Sequence, residues 1–135
     1  MRYLVDTSAL VRIYRRQAAA PWYDLVARGL ILVSEPVLVE TLTLAEAHRY
    51  LEVESELLAA YPWAGIPDGI WDLVAVIRHE LVKPSAFTAV SVADLVIAAT
   101  AIRLKLVVLH EDGDFETIAR HVPELRQQRV SVDPD

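Results

Sequence analysis

The stretch VVLHEDGDFE (residues 107–116) joins a buried strand to a helix. Residues 107–109 are an apolar run of strand length, and the Asp-Gly pair after them is typical of a turn. Four acids lie in or beside that turn: Glu111, Asp112, Asp114 and Glu116. The stretch contains no Lys or Arg, so this concentration of like charge requires either full exposure to water or a positive charge from elsewhere.

The rest of the chain alternates apolar strands with amphipathic helices. We predict strands at Tyr3–Val5, Leu30–Val33, Leu106–Leu109 and Arg129–Val132. We predict helices around residues 9–14, from Pro21 to Gly29, from Pro36 toward Tyr50, and over Val53–Ala60, Ile70–Val82, Val92–Ile102 and Phe115–His121, with a loop at residues 61–69. This alternation predicts an α/β fold with a parallel sheet covered on both faces. Ligands of such sheets bind at the carboxyl ends of the strands.

Composition narrows the function classes. The 135 residues predict a single domain, residues 1–135, with 54% apolar residues and a net charge of −6. Bulk electrostatic binding of nucleic acid is disfavoured, because such proteins are normally basic. Cysteine is absent, which excludes thiolate catalysis and zinc–sulfur sites. No signal peptide or membrane-spanning segment is expected, and a cytoplasmic location fits these features.

Each candidate carboxylate has an ordinary structural explanation. Asp6 follows the first strand, where it would cap the next helix. Asp94 lies three residues after Ser91, as in a capping box. Glu40, on a predicted helical face with Val37, Leu44 and Ala47, is compatible with solvent exposure. Asp114 would cap the helix beginning near Phe115. Glu111 and Glu116 are interpreted as solvated surface.

Taken together, the acids favour a different interpretation. Asp6 and Asp112 both follow strands of one sheet, and Asp94 and Glu40 lie on otherwise apolar helix faces. Carboxylates brought together without a cation repel one another. Mg²⁺ and Mn²⁺ prefer oxygen ligands, so the sequence predicts a divalent-metal site that supports phosphoryl transfer by an activated water.

At these residues the sequence resembles the PIN domain, and in particular the VapC-type ribonuclease toxins of toxin–antitoxin pairs. The resemblance rests on YLVDTSAL (3–10), VLVETL (37–42), VADLVIAATA (92–101) and LHEDGDFETIA (109–119), in that order. It implies a three-layer α/β/α sandwich and a Mg²⁺- or Mn²⁺-dependent endoribonuclease that hydrolyses single-stranded RNA such as tRNA, rRNA or mRNA. It also implies a homodimer, inhibition by a VapB-type antitoxin in a heterotetramer or larger complex, and contact with DNA only through the antitoxin.

The resemblance also assigns residues to the site. Asp6, Glu40, Asp94 and Asp112 match the family's catalytic and metal-binding acids, while Ser8 and Asp114 match its supporting residues. The segment KPSAFTAVSVAD (83–94) departs from the pattern, because relatives often carry basic or imidazole residues there and this chain has only Lys83. The sequence therefore predicts no basic RNA contacts from that loop beyond Lys83.

Three basic residues on the first helix are candidates for RNA binding: Arg12, Arg15 and Arg16. Arg12 and Arg16 are predicted to share one helix face, and contact with solvent or with the antitoxin is the alternative. The four His and three Trp residues are interpreted as structural or surface groups.

Other functions fit the sequence less well. A haloacid-dehalogenase-type phosphatase needs a second Asp where Ser8 stands, and a receiver domain needs a Lys after a later strand, whereas Lys105 precedes one. A non-catalytic PIN-like scaffold that binds RNA or protein is the remaining alternative.

Overall fold

A four-stranded parallel sheet forms the centre of the molecule. The computed structural model describes all 135 residues. The strands are β1 (Tyr3–Val5), β2 (Ile31–Leu32), β3 (Val107–His110) and β4 (Gln127–Arg129), in the order β2-β1-β3-β4. Every residue of β1, β2 and β3 is buried, as expected for a parallel sheet covered on both faces. The predicted α/β fold is confirmed.

Seven α-helices connect the strands: α1 (Thr7–Tyr14), α2 (Pro21–Ala27), α3 (Glu35–Leu42), α4 (Tyr50–Ala60), α5 (Ile70–Glu80), α6 (Val92–Leu104) and α7 (Gly113–His121). The chain runs outward from β1 to β2, then returns past β1 to β3 and β4. The crossover from β1 to β2 contains α1 and α2, and the crossovers to β3 and β4 contain α3–α7. Because right-handed crossovers that run in opposite directions across a parallel sheet lie on opposite faces, helices cover both faces. This confirms the three-layer sandwich. None of the helices is both long and apolar enough to cross a membrane.

One hydrophobic core of 35 buried residues runs through these layers. Trp22 is fully buried, packs edge-on against Tyr3 at 5.0 Å between ring centroids, and donates its indole N–H to the carbonyl of Val132 at 2.8 Å. The carboxyl-terminal segment is thereby attached to α2. Trp63 and Trp71, by contrast, are largely exposed.

The helix predicted from Pro36 toward Tyr50 is wrong in its length. Helix α3 ends at Leu42, and a 3-10 helix at Ala47–Arg49 leads into α4. The Thr43 hydroxyl donates to the carbonyl of Glu40 at 2.6 Å, which competes with a further helical turn. Leu44 and Ala47 therefore do not share a helical face with Glu40.

The last strand lies earlier than predicted. It spans Gln127–Arg129, whereas the prediction was Arg129–Val132. The apolar residues Val130 and Val132 favoured the later position, but β4 is an edge strand with half-buried polar residues, so its sequence lacks the apolar run that marks the other strands. Its register places Arg129 opposite His110, at the end of β3 where the acids begin.

Candidate metal centre

Asp6 lies at the carboxyl end of β1 and is the N-cap of α1. One carboxylate oxygen accepts the backbone N–H of Ala9 at 2.9 Å, and the Ser8 hydroxyl donates to the same carboxylate at 2.8 Å. The residue is 3% exposed. The sequence left two roles open for Asp6, capping of the helix and membership of the site. In the structure Asp6 caps α1 and also lines a cleft.

Asp94 enters the cleft from the first turn of α6. The predicted capping box is present: the Asp94 N–H donates to the Ser91 hydroxyl at 3.1 Å, and the Ser91 N–H donates to the Asp94 carboxylate at 3.4 Å. The side chain is half-buried. The six residues of α6 at positions 96–101 are buried. Their packing fixes the position of the helix and therefore of the Asp94 carboxylate in its first turn.

Asp112 and Asp114 reach the cleft from the turn after β3. Asp112, and not Asp114 as predicted, is the N-cap of α7, because its carboxylate accepts the N–H of Asp114 at 3.0 Å. The helix begins at Gly113, earlier than the predicted Phe115, and Asp114 therefore lies in its first turn. Both carboxylates of this turn, those of Asp112 and Asp114, therefore line the cleft.

These acids line one cleft of about 590 Å³, whose walls include Asp6, Glu40, Asp94, Asp112 and Asp114. Asp94, Asp112 and Asp114 each bring a carboxylate oxygen within 4.8 Å of the others. Asp6 lies at the bottom of the same cleft. Glu40 is exposed at its rim, where it accepts the Thr7 hydroxyl at 2.9 Å. The tightest group therefore includes Asp114, which the sequence assigned a supporting role, and includes neither Asp6 nor Glu40.

The electrostatics of the cleft disfavour negative charge. Burial raises the pKa of Asp6 to about 7, against hydrogen bonds from Ala9 and Ser8 that lower it, and Asp94 and Asp112 raise it further. Burial also raises the pKa of Asp94 to about 6, with added repulsion from Asp112 and Asp114. The pKa of Asp114 is raised by burial and by Asp112.

The donor set fits a hard divalent cation. Three carboxylates lie close enough to share one ion, all donors are oxygen, and no ion pair within the structure neutralises any of them. A bound cation would offset the burial and the mutual repulsion that raise the pKa values of Asp6 and Asp94, and such a site needs its ligands deprotonated. Asp94, Asp112 and Asp114 could therefore hold such a cation between them.

The three candidate arginines separate in the structure. Arg12 and Arg15 line the acidic cleft. Arg16 follows the end of α1 with a left-handed backbone (φ 60°), and its guanidinium lies over the Tyr23 ring, 5.0 Å from the ring centroid. The prediction that Arg12 and Arg16 share a face is wrong, because α1 ends before Arg16.

The interpretation of Glu111 and Glu116 as solvated surface is also wrong. The Arg129 guanidinium donates to Glu111 at 3.1 Å and to Glu116 at 2.6 Å. Glu111 also accepts the N–H and hydroxyl of Ser131, and these bonds outweigh burial and hold its pKa below its usual range. Bonding to Arg129 likewise lowers the pKa of Glu116. The pair therefore attaches β4 to the turn that carries Asp112.

Replacing Arg129 with Met is expected to destabilise the fold by about 1–3 kcal/mol, because it leaves Glu111 half-buried without its charged donor. Urea unfolding measures the change. The matched control is Arg28→Met, which breaks an exposed pair with Asp24 and should cost about 0.5 kcal/mol or less. Equal losses in both variants would contradict a specific role for the Arg129 cluster.

A comparison of the sequence with a protein-family model covers the residues of this site. The PIN domain model matches residues 3–121, which include every acid of the cleft. The chain belongs to the PIN domain family.

Named ribonucleases are among the relatives of this PIN domain. It is 41% identical over 70 residues to Ribonuclease VapC6 of Mycobacterium tuberculosis, an alignment covering 52% of this chain and 55% of VapC6, so the chain spans little more than half of that relative. It is 32% identical over 120 residues to Ribonuclease VapC2 of the same species, with 87% of this chain and 85% of VapC2 covered.

Solved structures share the fold. DNA-bound VapBC from Salmonella typhimurium contains a chain with a TM-score of 0.77 and 20% identity, covering 96% of this chain and 98% of its own. VapBC2 from Rickettsia felis, bound to a promoter DNA fragment, gives a TM-score of 0.74 at 18% identity and the same coverage. At these identities the likeness shows the PIN fold alone.

Two contacts that support the acids, one from Ser8 and one from His110, are visible only in three dimensions. The Ser8 hydroxyl accepts the N–H of Glu111 at 2.9 Å while donating to Asp6, and so joins the ends of β1 and β3. His110 is fully buried beneath Asp112, and burial lowers its pKa. Its position at the end of an apolar strand was the one sequence signal for that burial.

Proposed function

We propose that this PIN domain is a metal-dependent endoribonuclease that acts on single-stranded RNA, as the toxin of a type II toxin–antitoxin pair. The observation that carries the proposal is the acidic cleft, in which burial raises the pKa of Asp6 and Asp94 and no lysine or arginine forms an ion pair with them. The ribonuclease names of the relatives support the reaction class.

In this proposal Asp94, Asp112 and Asp114 hold Mg²⁺ or Mn²⁺ together with Asp6, and Glu40 lies at the rim of the cleft. When bound, the cation activates a water and stabilises charge on the leaving oxygen. Ser8 fixes the orientation of the Asp6 carboxylate, and Thr7 that of Glu40. Attack by water with departure of the 3′ oxygen leaves a 5′-phosphate and a 3′-hydroxyl.

The proposal is tested by incubating the purified chain with single-stranded RNA and Mg²⁺ or Mn²⁺. Cleavage is expected, with 5′-phosphate ends and with complete loss in EDTA. Duplex RNA of the same sequence is the control and should stay intact. RNA binding without cleavage in the presence of either cation would favour a non-catalytic scaffold and overturn the proposal.

Arg12 and Arg15 are proposed to hold phosphates of RNA entering the cleft, since both line it and neither is ion-paired. Replacing both with Gln should raise KM several-fold and flatten its salt dependence by about 0.7 logarithmic units per lost phosphate contact, with little change in kcat. Arg16→Gln is the matched control, because its side chain lies over Tyr23. Unchanged KM in the double variant would contradict the phosphate contacts and leave contact with solvent or with the antitoxin as the alternative.

The partners belong to the same proposal. A VapB-type antitoxin would inhibit the enzyme, in a heterotetramer or larger complex built on a homodimer, and DNA would be contacted through the antitoxin. The VapBC complexes of the fold neighbours support this assembly. Residues 1–135 act as one PIN domain, because a single core of 35 residues joins all layers. A cytoplasmic location follows from the RNA substrate.

A further inference from the structure

His110 is a buried imidazole with both ring nitrogens hydrogen-bonded. Its Nδ1 accepts the backbone N–H of Asp112 at 3.0 Å, and its Nε2 lies 2.6 Å from the side-chain oxygen of Gln127 on β4. The ring is 0% exposed and lies against Phe115, 5.4 Å between centroids. A nitrogen that accepts a hydrogen bond carries no proton, so Nδ1 is bare and Nε2–H donates to Gln127.

Packing alone does not explain why position 110 is a histidine. The three preceding residues of β3 are aliphatic, and an aliphatic side chain would fill the same space without desolvating two nitrogens. The ring instead accepts the backbone N–H of Asp112, within the turn that carries the Asp112 and Asp114 carboxylates. Gln127 determines which nitrogen can accept.

The bond to His110 acts on the carboxylates through the main chain. The backbone N–H of Asp112 donates to His110 Nδ1, and the Asp112 carboxylate accepts the N–H of Asp114. With both ends fixed, the turn has little freedom to rotate its two carboxylates away from Asp94. Oxygens of Asp94, Asp112 and Asp114 accordingly lie within 4.8 Å of one another.

We propose that His110, fixed by Gln127 as the Nε2–H tautomer, is a positioning residue that orients the peptide of Asp112 and thereby preorganises the Asp112 and Asp114 carboxylates for a divalent cation. This inference rests on the proposed metal-dependent function. His110 touches neither substrate nor cation and acts through Asp112 alone. Residues that orient metal ligands typically change metal affinity or activity by about 10–100-fold when replaced.

The tautomer is measured on the unaltered protein. Nitrogen-15 NMR of the histidine rings, on the metal-free chain, is expected to show His110 with a protonated Nε2 and an unprotonated Nδ1. A protonated Nδ1, in the other neutral tautomer or in an imidazolium, would overturn the proposal, because that nitrogen could not then accept the Asp112 N–H.

Two amide variants separate positioning from packing. The short His110→Asn side chain places an acceptor oxygen near the Nδ1 position, whereas His110→Gln reaches the Nε2 position and leaves the Asp112 N–H unpaired. Both lose ring packing, so both should lose similar stability in urea. Mn²⁺ affinity, measured by electron paramagnetic resonance of the free ion, should fall about 10-fold or more in His110→Gln and only a few-fold in His110→Asn.

Gln127→Met provides a third variant at a half-buried position, where loss of folding is less of a risk. It removes the acceptor for Nε2–H and should lower Mn²⁺ affinity with a detectable share of the other tautomer. Equal Mn²⁺ affinities in the two His110 variants, or no measurable Mn²⁺ binding by the unaltered chain, would overturn the inference. None of these readouts uses RNA, so a chain that binds Mn²⁺ as expected but cleaves no RNA would overturn the proposed function and leave the role of His110 standing.

Discussion

Replacing Asp94 with Asn is expected to lower RNA cleavage by about a thousandfold or more, which corresponds to about 4 kcal/mol of lost transition-state stabilisation. The amide has nearly the shape of the carboxylate but no charge for a cation. Its oxygen can still accept the Ser91 N–H, so the capping box and the start of α6 are expected to persist. Single-turnover cleavage of a labelled RNA under saturating Mn²⁺ measures the loss.

Loss of stability cannot produce this result, because the same variant should be more stable than the unaltered chain without metal at neutral pH. The raised pKa of Asp94 shows that its charged form is disfavoured in the fold, and Asn removes that charge. Asp24→Asn makes the same chemical change at an exposed acid on α2 and should leave cleavage unchanged. Full activity in Asp94→Asn would remove Asp94 from the site.

The second large effect is the dependence of metal-free stability on pH. In the unfolded chain Asp6 and Asp94 ionise near pH 4, whereas in the fold their pKa values are about 7 and about 6. Between these limits the folded state keeps protons that the unfolded state releases. The contribution is therefore fully present below about pH 4 and is lost as pH rises to about 7.

Buried Asp6 dominates this change, with an expected loss on the order of a few kcal/mol across the window. Glu111 and Glu116 act in the opposite direction: their lowered pKa values add stability above about pH 4, which is lost at more acid pH. Urea unfolding in EDTA should thus give a maximum in mildly acid solution. A steady rise in stability from pH 4 to pH 7 would contradict the assigned charges.

Divalent cations should reverse the neutral-pH loss. Metal binding requires deprotonated ligands, so Mn²⁺ affinity should increase up to about pH 7. At about a hundred times its Kd, Mn²⁺ should add about 2.7 kcal/mol to the free energy of unfolding. Asp94→Asn should lose most of this gain, which ties the stabilisation to the cleft.

The sequence determined the fold more fully than the site. The apolar runs of β1 and β3 are each followed by acids. Their parallel placement and the convergence of Asp6 and Asp112 could therefore be predicted from the periodicity and spacing of the sequence. Edge strand β4 has no such run, and its position was missed. The end of α3 was missed because it depends on a hydrogen bond from Thr43 to the backbone, which no periodicity records.

The supporting contacts of the site join residues far apart in the chain. Arg129 reaches Glu111 and Glu116, and Gln127 reaches His110, only because β4 pairs with β3 in one particular register. That register could not be predicted from the sequence, because β4 has no apolar run that would identify it as a strand. Asp114 joined the tight acidic group for a local reason, because α7 begins at Gly113 and Asp112 takes the cap.

Anomalous diffraction from crystals of this chain soaked in Mn²⁺ at neutral pH or above tests the central claim most directly. The account predicts a manganese peak in the cleft, bonded to carboxylate oxygens of the group formed by Asp6, Asp94, Asp112 and Asp114 at the distances typical of such ions. A cleft that stays empty at saturating Mn²⁺, or a peak confined to other acids on the surface, would contradict it.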